Sequence, residues 1–159
     1  MKISPVFWLI PFLPVFFVAL WTGIIFILSQ MGWSPLAQSF STQSRPTGKT
    51  FPMASASING CNYNNCLTAR VTESGLWLQP WLPFRMFHPA LIIPWQAFTA
   101  FEEQKILWAR RLSTTVATPE GRRVKLVLMP RALEIAIIEK LQLASSSVEL
   151  QADSGPWSS

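Results

Sequence analysis

Charge is scarce in this chain and missing altogether from its front. Only 13% of the residues are Asp, Glu, Lys or Arg, against roughly 25% in soluble domains. Between Lys2 and Arg45 there is no charged side chain at all. There is one histidine, His88, so a metal site of several imidazoles is excluded. Cys61 and Cys66 are the only cysteines, and their spacing is not the Cys-x-x-Cys of redox or zinc motifs. No internal repeat is visible. What the chain does have is apolar bulk, with 50% hydrophobic residues, which excludes disorder of the whole chain.

That bulk is concentrated from Pro5 to Ser29, a run without an ionisable group. At 1.5 Å per residue, about 20 to 25 helical residues cross a hydrocarbon core of about 30 Å. A helix is the only single-segment solution, because lipid offers no partner to free backbone groups. Residues 1–30 are therefore expected to be a transmembrane anchor, with Trp8 and Trp33 near its two interfaces. Pro11 and Pro14 are expected to kink its first half. The alternative is a cleaved secretory signal, but the apolar core is long for one and the cleavage candidate near Ala37 is poor. Lys2 leans towards an inside N-terminus and an outside domain, and the side of the domain is left open.

Residues 31–54, rich in Ser, Thr, Gln and Pro, read as a polar linker. The remaining 55–144, roughly 90 residues, suffices for one modest core. Ser55–Ile58 and Cys66–Glu73 alternate as strands, with Ser74-Gly75 as a turn into Gly75–Gln79. That hairpin partner is expected to place Leu76 and Leu78 on one face and Trp77 on the other. Ala90–Ile93 is a buried strand ending at Pro94-Trp95, and Phe98–Glu103 a strand or a helical turn. Ile106–Ala117 and Arg122–Leu128 are further strands around a turn at Pro119–Gly121. The period then changes: Leu133, Ile137 and Leu141 define the apolar face of a helix starting at Pro130, with Glu134, Glu139 and Lys140 on its wetter side. Residues 145–159 read as a disordered tail. The expected fold is α+β: a transmembrane helix, then an antiparallel sheet or partly open barrel capped by one C-terminal helix.

The strand starting at Gly75-Leu-Trp-Leu and the one ending in Ile92-Ile93-Pro94-Trp95 resemble the bacterial pleckstrin-homology-like and GRAM-type domains. The resemblance covers 55–144. It implies a binding or assembly scaffold at membranes, without chemistry of its own. No dense basic loop joins the first two strands, so the inositol-lipid recognition of some members is not expected.

The most unusual stretch runs from Pro80 to Trp95, with Trp81, Phe84, Phe87 and Trp95 around Arg85 and His88. Either it is an exposed interaction loop that docks on a bilayer or a membrane partner, or its aromatics complete the core at a proline-stiffened corner. His88 has no nearby ligand or nucleophile, so neither metal nor cofactor is expected, and the module reads as non-catalytic. An enzyme assembled around His88 and Arg85 from distant polar groups is the alternative. Cys61 and Cys66 flank a turn-prone Asn62–Asn65 and are either a disulfide or two free thiols, depending on the compartment. Arg110-Arg111 and Arg122-Arg123-Lys125 are candidates for one basic patch across a hairpin.

The net charge of +5 is spread along the chain and fits anionic lipid headgroups better than nucleic acid. The reading is thus a single-pass membrane protein, acting as an interaction or scaffold module on a protein partner or a lipid surface. An accessory subunit of a larger membrane complex is the other non-catalytic option.

Overall fold

The computed structural model describes residues 12–106, 109–129 and 131–153. Its class is α+β: an apolar N-terminal helix, an open antiparallel sheet and a C-terminal helix.

The first helix, α1, is Phe12–Leu28 and runs through Pro14. Pro5 to Pro11 lie outside the described residues. Past α1 the helix does not stop. Ser29–Trp33 forms a wide π turn, and Ser34–Phe40 continues as α2. Together they make a helix of 29 residues, apolar enough to cross a membrane by length and composition. Pro35 gives the wide turn a physical reason. It has no N–H to donate to the Met31 carbonyl one helical turn before it. The Asn59 side-chain amide supplies the missing donor at 3.2 Å, and the Ser34 N–H reaches back to Ser29.

The polar linker expected over 31–54 is therefore not there. Trp33, Leu36 and Phe40 of that segment are buried members of the core. Strand β1, Ser41–Thr42, pairs at once with β5, Ala90–Pro94. Strand β2, Lys49–Ile58, starts six residues earlier than the alternation at Ser55 suggested. The apolar set at 33, 36, 37 and 40 has helical spacing, diluted by the Ser and Gln between its members.

Strand β2 turns at Asn59-Gly60 into β3, Cys61–Val71. Both turn residues have positive φ, 50° and 87°, the two-residue hairpin geometry that favours Asn-Gly. The turn-prone Asn62–Asn65 is thus strand, with bulges where Met53 and Asn65 also take positive φ. Strand β4, Gly75–Pro80, follows as its alternation implied and pairs with β3 and β5. Next come β6, Phe98–Ile106, β7, Ala109–Ala117, and β8, Arg123–Met129. The strand expected over Ile106–Ala117 is thus divided between β6 and β7.

The sheet order is β1-β5-β4-β3-β2-β8-β7-β6. Two meanders meet at β2, which pairs with both β3 and β8. The core lies between them, under α2 on one side and α3, Arg131–Asp153, on the other. Leu133, Ala136 and Ile137 bury as the apolar face of α3. Glu134, expected on the wet side, is buried instead, and its carboxylate accepts the Leu112 N–H at 3.2 Å. The tail expected from 145 is helical to Asp153, and 154–159 lie outside the described residues.

The basic patch does not assemble. Lys125 faces Thr115 and Arg123 faces Ala117, whereas Leu112 faces Leu128. Arg110 and Arg111 therefore stand at the far end of the hairpin, about 13 Å or more from Lys125.

Candidate functional site

The connection from β4 to β5 carries most of the residues singled out in the sequence. The Trp81 N–H donates to the Cys66 carbonyl at 2.7 Å. Leu82–Phe87 then winds as a 3-10 turn, started by Pro83, whose fixed φ suits that position. This turn lies along the C-terminal half of α1. Phe84 packs on Trp21 with centroids 6.1 Å apart, and Phe87 meets Phe26 edge-on at 5.3 Å. The Ser29 hydroxyl donates to the Phe87 carbonyl at 2.6 Å, and the Trp33 indole donates to the Pro89 carbonyl at 2.9 Å. Aromatic contacts and two side-chain hydrogen bonds thus fasten the loop to the apolar helix.

Not all of the loop is consumed in this way. Trp81, Leu82 and Met86 are 67%, 72% and 72% exposed, on the same connection as Phe84 and Phe87. Trp95 does not join the cluster. It sits at the opposite end of β5, half-buried, where its indole donates to the Thr72 carbonyl at 3.1 Å and its ring packs on Phe98.

His88 is buried where the loop meets the rod. Its ring makes edge-on contacts with Trp33 at 5.5 Å and Tyr63 at 5.6 Å. Nε2 lies 3.3 Å from the Tyr63 hydroxyl, which is also 3.3 Å from the Leu28 carbonyl. A hydroxyl has one proton. Given to Leu28, it makes Nε2 of His88 the donor; given to His88, it makes Nε2 the acceptor. Desolvation lowers the pKa of His88 below its ordinary value, partly offset by the Phe84 carbonyl. Burial raises that of Tyr63 well above its usual range, reinforced by Cys61 and Cys66. The Cys66 thiol is also pushed up by burial. All three groups are held neutral at pH 7, which suits neither a thiolate nucleophile nor a cationic imidazole.

These residues line a cavity of about 270 Å³ between Leu28, Tyr63, Cys66, Phe84 and His88. Cys61 and Cys66 are free. The chain between them is strand, and five residues of strand span roughly 16 Å, beyond the roughly 4.4–6.8 Å between Cα atoms that a disulfide bridges. Among the described residues no His, Cys, Asp and Glu group could hold a metal ion.

No protein-family model, curated protein or solved structure matches this chain. Its function is read from the site alone.

The structure adds Trp21, Phe26, Ser29, Trp33 and Tyr63 to the residues expected at the loop. Tyr63 could have been found from the sequence, since it is a large ring among asparagines. Trp21 and Phe26 could not, because they lie in a run that is apolar almost throughout.

Proposed function

We propose that this chain is a single-pass membrane protein whose pleckstrin-homology-like domain rests on the bilayer as a non-catalytic interaction module. One observation carries the reading: the 82–87 turn is fastened by Phe84 and Phe87 to the C-terminal half of α1. With α1 leaving the hydrocarbon near Trp21, that turn lies at the headgroup level. Trp81, Leu82 and Met86 are then immersed in it rather than exposed to water. Withdrawing three such side chains from water is worth about 4 kcal/mol in all. The large apolar side chains of α1 other than Ile25 are themselves exposed, as a lipid-facing helix requires.

The resemblance to pleckstrin-homology-like domains is supported by two antiparallel meanders joined through β2 and by a helix following the last strand. The non-catalytic reading is supported by Tyr63 and Cys66, whose raised pKa values make neither a ready anion at pH 7.

The test uses the full chain in vesicles whose lipids carry bromine at a shallow acyl position, a short-range quencher of indole emission. The difference in quenching between wild type and Trp81→Phe isolates Trp81. Strong quenching of that difference signal is expected, and an unquenched Trp81 overturns the placement of the loop.

A further inference from the structure

On the outer face of the sheet, away from the core, β3 and β4 place Arg70 opposite Trp77 and Thr68 opposite Gln79. The Arg70 guanidinium stacks on the Trp77 ring at 5.1 Å, and its Nη1 donates to the Pro46 carbonyl at 3.2 Å. From the segment before β2, Arg45 reaches over and donates through Nη2 to the Gln79 side-chain oxygen at 3.4 Å. From the other side comes Arg85, on the same turn as Phe84 and Phe87. The three arginines border one cleft of about 240 Å³, walled by Trp77 and Trp81.

No carboxylate lines this cleft among the described residues, and none forms an ion pair with Arg45, Arg70 or Arg85. Nε of Arg70 and Nε of Arg85 have no hydrogen-bond partner. Three guanidinium groups border one small cleft, and among the described residues no carboxylate neutralises their charge. Such a cluster is stabilised by an anion. The Arg70 guanidinium, stacked on Trp77 and tied to the Pro46 carbonyl, presents a planar fork that suits the paired oxygens of a phosphate.

We propose that Arg45, Arg70 and Arg85 form a phosphate-binding site filled by the headgroup of an anionic phospholipid. The chemistry recognised is a phosphate oxyanion. The lipid source follows from position, because Arg85 sits between the two phenylalanines that pack on α1, and exposed Trp81 and Leu82 form the rim beside the acyl chains. This deepens the bilayer placement of the loop and rests on it.

The experiment titrates the full chain in a non-ionic detergent with dihexanoyl phosphatidic acid, with dihexanoyl phosphatidylcholine and with inorganic phosphate, and reads binding by calorimetry. The phosphatidic acid is expected to bind and the choline lipid not to. Arg85→Gln and Arg70→Gln should each weaken binding roughly tenfold or more, as the loss of a charge-assisted hydrogen bond implies. Arg70 also holds the 45–46 segment, so Arg85→Gln, on an exposed turn, keeps the test valid if Arg70→Gln fails to fold.

Equal binding by wild type and Arg85→Gln overturns the site. Inorganic phosphate binding as tightly as phosphatidic acid overturns the lipid source. Because the short-chain lipid reaches the cleft without a bilayer, failure here is distinguishable from failure of the loop placement. A wrong placement alone shows as an unquenched Trp81, and a wrong site alone leaves that quenching intact.

Discussion

Replacing Trp33 tests whether the helix beyond the apolar span is part of the domain or a tether to it. Trp33 is fully buried, its indole N–H donates to Pro89, and its ring meets Tyr63 and His88 edge-on. Trp33→Ala removes the ring and leaves a cavity, which costs about 3–5 kcal/mol in a core. Trp33→Phe keeps much of the volume but strands the Pro89 carbonyl, at about 1–2 kcal/mol. For a folded part of this size, each kcal/mol lowers Tm by about 4 °C, so Trp33→Ala is expected to lower it by roughly 12–20 °C. The assay is thermal unfolding of the full chain in mild detergent, followed by near-ultraviolet circular dichroism. A tether residue would change nothing. A loss below about 1 kcal/mol for Trp33→Ala would refute the packing of residues 31–40 into the core, because no buried tryptophan is removed so cheaply.

Other perturbations read the same junction. A Cβ on Gly32 would lie 2.8 Å from Cβ of Cys61 and 2.9 Å from the Ile58 carbonyl oxygen. Gly32→Ala is therefore expected to lose about 1–2 kcal/mol in chemical denaturation, despite the better helix propensity of alanine. The pKa of His88 is lower in the folded chain than the ordinary 6.5, so the unfolded state takes up the proton first. Stability is then full above pH 6.5 and falls as pH drops below it towards the folded pKa. Denaturation midpoints at pH 5.5 and 7.5 should differ more in wild type than in His88→Gln, and equal differences would refute the burial of a neutral imidazole. Cys66 is half-buried with a raised pKa and Cys61 is buried. Maleimide should label Cys66 slowly, Cys61 more slowly still, and both at once after unfolding. A non-reducing mass lighter by two hydrogens would show that a disulfide had formed.

The apolar helix, the Leu133–Ile137 face of α3 and the turn before Gly75 were legible because each is a local pattern of period or turn chemistry. Residues 31–40 were not, since their four core positions sit among Ser, Gln and Pro, whose composition masks the helical spacing. Glu134 defeats a reading by helix face, because it is buried only when the backbone of β7 arrives to supply a donor. Trp95 lies close in sequence to His88, yet a five-residue extended strand carries it to the other end of the sheet. The arginine cleft was the least legible feature. Arg45, Arg70 and Arg85 come from three segments, and only the register of Arg70 against Trp77 and the fold-back of the 43–48 segment bring them together.

The π turn at Ser29–Trp33 has a mechanical consequence. The helix runs without an intervening linker from Phe12 to Phe40 and is held to the domain at Ser29, Gly32 and Trp33, so the sheet is mounted on it as a lever on its axle. The heading of the cleft over the bilayer therefore follows the pose of that one helix.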